Sequence, residues 1–415
     1  SCLQRTYPLC RRYGSRLGCI RRSGESGSAA GVGGGQAMNG WTLMASPHEQ
    51  EAGDIAMAGC RHWPDGSGVV IGSGGSSGGR KWCLQSWANL EQSARSCGEW
   101  LERLGIDPSG VRLVNPLPGH HMGGLMPQIR SRQWQAPLLA LAPLLLKSPA
   151  TLLESHGNLT NDGRDAVISL VPTQLRRLLA DSSGRRWLQQ FRLLWIGGGP
   201  LNDALADQAR QLQLPLSTCY GSTETAAMIC ALDPAQFLAG QSSCGAPFND
   251  VQLKVDPASG AVAVKTQRLS LGWLDGEQLQ PFCDDNGWWQ SGDAGRMGST
   301  GLEVLGRLDG ALNSGGATVF PEQIETALGC LPGLEALLVV GLPDPEWGQR
   351  LIGLVKPAPG TNGNALLERL RQLSYGLPPA QRPKQWQICP ELATNPEGKW
   401  QRKHWQAWLQ SNQSG

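Results

Sequence analysis

Between Trp41 and about residue 220, short β-like apolar runs alternate with helix-length amphipathic stretches, and this alternation restricts the fold more than any other property of the chain. The β-like runs are Val69–Ile71, Val111–Val114, Ala166–Val171, Phe191–Ile196 and Leu214–Thr218. Between them, Ser86–Leu104 and Asn202–Gln213 carry apolar residues near helical spacing. Strands separated by helix lengths pack as sheets covered by helices, so layered α/β architecture is expected. After Gly260 the pattern shortens to strands such as Ala261–Thr266 and Leu302–Leu305. Beyond Asp309 come a helix over Pro321–Leu328 with proline in its first turn, strands at Ala336–Val340 and Leu351–Val355, and a helix over Ala365–Leu373. This predicts a large domain over 41–309 and a small α+β domain over 310–415; 415 residues suffice for two cores.

Residues 1–40 differ from the rest. They hold six Arg and one Glu, a balance of +5, which leaves −3 for the remainder of a chain whose net charge is +2. Rich in Gly and Ser and poor in apolar residues, they are expected to be disordered, although the composition also suits an organellar transit peptide. The small net charge gives no sign of a nucleic-acid groove. The longest apolar run, Ala136–Leu146, contains two prolines and is too short to span a bilayer. The 12 cysteines form no Cys-x-x-Cys pair and no zinc-like cluster, so they read as buried free thiols of a reducing compartment. The expectation is a cytoplasmic protein, or a plastid one if the first 40 residues are a transit peptide.

Several polar stretches carry chemistry. Phe191–Ile196 runs into Gly197, Gly198 and Gly199, and Leu214–Leu216 leads to Ser217-Thr218-Cys219-Tyr220-Gly221-Ser222-Thr223-Glu224-Thr225. Small residues admit a ligand close to the backbone, and hydroxyls beside the Glu224 carboxylate suit a phosphate carrying a divalent cation; a capped strand-to-helix turn fits equally. Gly75, Ser76, Ser77, Gly78, Gly79, Arg80 and Lys81 form a loop whose N–H groups, hydroxyls and cations suit β- and γ-phosphates. The same loop contains a Gly-x-Ser-x-Gly pattern, and Ser76, Asp293 and His404 follow the chain order of a serine hydrolase. A Gly/Ser linker is a third reading, whereas Lys81-Trp82 departs from a Walker loop. Asp293, after Gly287-Trp288-Trp289-Gln290-Ser291-Gly292, is placed to accept ribose hydroxyls, and Arg307 to bond ribose or phosphate oxygens.

Together with Gly306-Arg307-Leu308-Asp309 and Gly398-Lys399, these stretches resemble, in order and spacing, the adenylate-forming superfamily of acyl- and aryl-CoA ligases, luciferases and peptide-synthetase adenylation domains, over about residues 66 to 405. The phosphate loop differs from the family's Gly-Ser-Thr-Gly-x-Pro-Lys in having Ser77 for Thr and Arg80 for Pro, Ser291 replaces a Thr, and Ala393 a common Pro. The resemblance implies a large adenylate-forming domain of layered α/β subdomains, shortened at its N-terminal end, and a small mobile C-terminal domain. It implies Lys399 as the catalytic lysine, Glu224 as the Mg²⁺ ligand, Thr223 on the phosphate, Asp309 as the hinge, and His121, beside His120, lining and gating the acyl pocket. A packed imidazole in a capped turn fits His121 equally on the residues alone.

Two further stretches, Val171–Leu179 and Leu194–Leu201, are similar to the o-succinylbenzoate–CoA ligases of menaquinone and phylloquinone biosynthesis. What this implies is a ligase using ATP, Mg²⁺ and coenzyme A on a small carboxylic acid. The acid would be activated as an acyl-adenylate and passed to the thiol, with no cysteine nucleophile. Another aromatic or fatty acid, or an inactive nucleotide-binding protein, stays open as the alternative.

Overall fold

The computed structural model describes residues 37–74, 80–394 and 400–413. At the centre, six strands lie in the order Ala227–Ala231, Leu216–Ser222, Phe191–Ile196, Asp165–Leu170, Val111–Asn115 and Leu138–Ala140, and only the first is antiparallel to its neighbour. Alternate side chains of these strands enter two separate cores, as burial on both faces of a parallel sheet requires. Ile168, Leu170, Leu194 and Leu216 pack against the helices Pro172–Leu179, Ser182–Leu188 and Asp203–Gln211. Leu113, Val167, Leu193 and Trp195 pack on the other side with Cys97, Trp100 and Leu101 of Trp87–Arg103.

Local chemistry sets the boundaries. The Ser86 side chain accepts from Asn89 N and starts the helix Trp87–Arg103. Val171, expected to end a strand, instead precedes a helix, because Pro172 has no N–H for the ladder and suits a first helical turn. Asn202 caps the next helix through Leu205 N, and the strand expected from Leu214 begins at Leu216, beyond Pro215.

A second sheet runs Ala37–Met38, Trp41–Met44, Gly68–Gly74, Arg80–Ser86, Trp273–Asp275 and Gln278–Gln280. Residues 37–40, counted with the expected disordered start, instead form the first strand and a turn: Asn39 and Gly40, at φ 51° and 86°, turn the chain into Trp41–Met44. The disorder expected over residues 1–36 concerns positions outside the described residues. A third, antiparallel sheet of Val251–Val255, Ala261–Thr266, Trp289–Gly298 and Gly301–Arg307 packs Val262, Val264, Trp289 and Leu302 onto the second core.

From Leu312 onward a fourth sheet orders Ala317–Val319, Leu312–Ser314, Gly348–Pro357 and Leu334–Asp344, with Gln385–Ile388 added parallel to Gly348–Pro357. Pro321–Leu328 and Gly363–Ser374 cover one face, and Trp405 and Leu409 of the helix Arg402–Gln413 cover the other. Among the described residues no helix is long and apolar enough to cross a membrane; the run Ala136–Leu146 supplies the short strand Leu138–Ala140 and a tight helical turn, Pro143–Lys147.

Candidate active site

In an open α/β sheet, ligands bind beyond the carboxyl ends of the parallel strands. Ile196 leads there to Gly197–Gly199, Ser222 to Thr223 and Glu224, and Asn115 to His120 and His121. Two glycines are obligatory in this rim. Gly198 has φ +77°, and a Cβ on Gly221 would collide with the Ala227 carbonyl oxygen of the adjoining strand. The turn after Ser222 closes through Thr225 Oγ1, which accepts from Ser222 N at 2.9 Å and donates to Ala227 O at 2.7 Å. Ala226 and Ala227 then take φ of 52° and 74°, a conformation that surrounding contacts must hold in place. The Ser222 hydroxyl is buried and has no hydrogen-bond partner among the described residues.

Glu224 is 7% exposed. Its Oε1 accepts from Ser73 Oγ at 2.5 Å and from Trp273 Nε1 at 3.3 Å, and the Cys83 thiol is hydrogen-bonded to the same carboxylate. Ser73 lies on Gly68–Gly74 directly opposite Lys81 of Arg80–Ser86, so the hairpin that bears the glycine loop is fastened to the Glu224 turn. Lys81 Nζ stands 4.0 Å from the Trp273 ring centroid, which places one indole between the loop's cation and the carboxylate. Sequence reading missed Ser73 and Trp273; neither belongs to a motif, and both act across long separations.

The second cluster joins the central and third sheets. Tyr220 donates to Asp293 Oδ2 at 2.6 Å, and Arg307 Nη1 donates to Asp293 Oδ1 at 3.3 Å and to Ser291 O at 3.2 Å. Arg307 Nε also reaches Asp309 Oδ1 at 3.2 Å. Burial raises the Asp293 pKa above the ordinary carboxylate value, against the hydrogen bond from Tyr220 and the Arg307 charge. Burial, with the Asp293 charge second, pushes the Tyr220 phenol well up, so it stays a donor.

His121 precedes the helix Met122–Trp134 without capping it through its side chain, and its ring centroid lies 4.4 Å from that of His120. Gly75, Ser76, Ser77, Gly78, Gly79 and Lys399 lie outside the described residues. The hydrolase reading loses its acid: Asp293 is engaged by Tyr220 and Arg307, while His404 is exposed on the terminal helix with its ring against Trp405. Burial pushes Cys219 and Cys244 up to about 12 and Cys83 well above its usual value, so these thiols are not poised as nucleophiles.

The donor set fits a magnesium nucleotide. Among the described residues no group of three or more His, Cys, Asp or Glu forms a metal cage. A single carboxylate anchored at one oxygen suits Mg²⁺ when phosphates and water supply the other ligands. The orphaned Ser222 hydroxyl gives a further polar atom in the same turn.

Known proteins share this plan. The family model described as AMP-binding enzyme matches residues 47–267, and that for the AMP-binding enzyme C-terminal domain matches residues 323–399. The 2-succinylbenzoate–CoA ligase of Oceanobacillus iheyensis is 28% identical over 338 residues, covering 80% of this chain and 68% of that protein. The probable 2-succinylbenzoate–CoA ligase of Mycobacterium tuberculosis is 30% identical over 320 residues, 75% of this chain and 77% of that protein. The o-succinylbenzoate CoA synthetase of Bacillus subtilis, solved with its acyl-adenylate intermediate, superposes with a TM-score of 0.70 at 23% identity, over 81% of this chain and 68% of that one. Solved with ATP and a magnesium ion, it gives 0.67 at 23% identity, over 81% and 69%. The structural likeness establishes the fold.

Proposed function

The chain belongs to the AMP-binding enzymes, whose model matches more than half of its length, and from that premise we propose that it joins 2-succinylbenzoate to coenzyme A at the expense of ATP. The reaction is AMP-forming and has two halves. The acid's carboxylate attacks the α-phosphorus in line, forming an acyl–phosphate bond as pyrophosphate leaves. The thiol of coenzyme A then attacks the acyl carbon, and AMP leaves with the bonding pair.

One observation carries the reading. The Glu224 carboxylate is pinned through one oxygen between the glycine-loop hairpin and Trp273, at the rim where parallel strands end. Bound Mg²⁺ would neutralise charge that builds on the phosphate oxygens. Glu224 would hold it, with the Thr223 and Ser222 hydroxyls and the Ser76–Lys81 loop directed to the phosphates. Asp293 is suited to the ribose hydroxyls, because an acceptor already oriented by Tyr220 and Arg307 loses little freedom when a diol arrives. His121, with His120, stands at the end of Val111–Asn115 and is assigned to the wall of the acyl pocket. Asp309, bound to Arg307 where the third sheet ends, is assigned to the hinge, and Lys399 to the carboxylate and α-phosphate. The described cysteines form no disulfide with one another, which suits a reducing compartment such as the cytoplasm.

A panel of acids incubated with Mg-ATP, with and without coenzyme A, tests this. Pyrophosphate release should depend on 2-succinylbenzoate, and AMP should accumulate on adding the thiol. Equal turnover of a long-chain fatty acid would overturn the substrate, and absence of acid-dependent pyrophosphate exchange would overturn the ligase.

A further inference from the structure

Gln85 is fully buried, and its side-chain nitrogen donates to two successive carbonyl oxygens, Thr223 O at 2.7 Å and Glu224 O at 3.1 Å. Its own oxygen accepts from Asn89 Nδ2 at 3.4 Å, and Asn89 also donates to Leu269 O at 2.8 Å. Strand alternation puts Lys81, Cys83 and Gln85 on one face of Arg80–Ser86. That strand therefore presents the loop's cation at one end and a grip on the Glu224 backbone at the other. Farther along, Ser93 Oγ donates to Ala226 O at 2.5 Å and accepts from Arg268 Nη1 at 2.9 Å. The turn is thus held from behind through three carbonyls, just where Ala226 and Ala227 leave ordinary backbone conformations.

Glu224 O has a second donor in Ser270 N at 2.8 Å, whereas Thr223 O has besides Gln85 only the longer bond from Ala226 N at 3.3 Å, so the Gln85 bond at 2.7 Å weighs most at Thr223 O. Only a primary amide offers two N–H donors without charge; an apolar replacement would leave Thr223 O with the 3.3 Å bond from Ala226 N alone and loosen the turn toward solvent. We propose that Gln85 is a positioning residue for the metal-binding turn: it draws the Thr223 and Glu224 carbonyls inward so that the Thr223 hydroxyl and the Glu224 carboxylate face the nucleotide in register with Lys81. The proposal rests on the reading of Glu224 as the Mg²⁺ ligand of an ATP-dependent ligase.

The test compares Gln85→Leu and Gln85→Glu with the parent chain in three measurements. Calorimetry follows ATP binding as Mg²⁺ is raised, pyrophosphate exchange follows adenylation, and synthetic o-succinylbenzoyl-adenylate with coenzyme A follows thioester formation alone. In Gln85→Leu the Mg²⁺ needed for half-maximal ATP binding should rise about tenfold, as when partners behind a metal ligand are lost. Gln85→Glu, of the same shape and keeping one donor as the neutral acid, should fall between, and it serves alone if Gln85→Leu does not fold. ATP binding without Mg²⁺ and thioester formation should match the parent in both. An unchanged Mg²⁺ dependence, or equal loss of both half-reactions, overturns the proposal. A parent that binds Mg-ATP but never releases pyrophosphate overturns the ligase reading instead, with calorimetry still deciding on Gln85. A parent that fails to bind Mg-ATP overturns both.

Discussion

The Tyr220 phenol donates to the Asp293 carboxylate across 2.6 Å, although 73 positions separate them in the chain. The bond ties the strand Leu216–Ser222 of the central sheet to Trp289–Gly298 of the third, and Arg307 closes the group from the other side. A nucleotide seated at the strand ends would meet an acceptor fixed by both sheets.

Asp293 carries a stability cost that follows from this placement. Its pKa in the folded protein lies above the ordinary carboxylate value, chiefly through burial. The folded state therefore binds the proton more tightly than the unfolded one, and stability falls as pH rises from the ordinary value through the folded one. Asp293→Asn, which still accepts from Tyr220, should melt at or above the parent's temperature at neutral pH. The difference should vanish as pH falls to the carboxylate range. ATP affinity should drop about tenfold, the scale of a hydrogen bond to a charged group. Calorimetry across pH and ATP titration check the two halves separately.

Glu224→Gln keeps the size of the side chain and an oxygen for Ser73 and Trp273, but removes the charge. Adenylation measured by pyrophosphate exchange should fall by about 10²-fold, the scale for losing one electrostatic stabiliser. Thioester formation from synthetic acyl-adenylate should stay near the parent rate. A comparable loss in both assays would mean that the carboxylate only supports the fold.

Much of the frame was legible in the chain because its signals are local. Phe191–Ile196 was expected as a strand and is one, and Ser86 starts the expected helix by capping it. Gly197–Gly199, the Thr223-Glu224 turn and the His120-His121 pair stand beyond the carboxyl ends of parallel strands, a consequence of the alternation itself. What stayed hidden depends on pairs distant in sequence. Gln85 meets Thr223 across 138 positions, Ser73 meets Glu224 across 151, and the left-handed Ala226 and Ala227 are held by contacts rather than by residue type. Val171 was misjudged because its apolar side chain extends the strand pattern, while the decisive proline lies one residue later.

In the small domain, Arg402 is clamped by Glu325 at 2.6 Å and Glu322 at 3.0 Å, and it also donates to Val339 O at 2.9 Å. Burial raises the Glu322 pKa, the Glu325 charge adds to the rise, and the Arg402 charge opposes it. Removing the cation leaves two half-buried carboxylates facing each other. Arg402→Leu should therefore cost about 3 kcal/mol, the low end for breaking a buried ion pair by one partner. Urea unfolding resolved by domain would register the loss in the unit after Leu312, with nucleotide affinity of the large domain retained.

Arg402 stands three residues beyond Lys399, so its clamp fixes the end of the segment that carries the lysine. Lys399 itself lies outside the described residues. If it acts when charge builds between the acid's carboxylate and the α-phosphate, Lys399→Ala should slow adenylation by about 10²- to 10³-fold. In the second half-reaction no new charge develops at the phosphate until AMP departs, and on the two-step proposal the small domain would by then have turned the lysine away. Synthetic o-succinylbenzoyl-adenylate with coenzyme A should then yield thioester at near the parent rate. Arg402→Leu, which loosens the base of the segment without removing the ammonium, should depress adenylation less than Lys399→Ala and should respond to temperature as its stability does. Equal slowing of both half-reactions in Lys399→Ala would assign the lysine to structure, and the alternation of the small domain would lose its support.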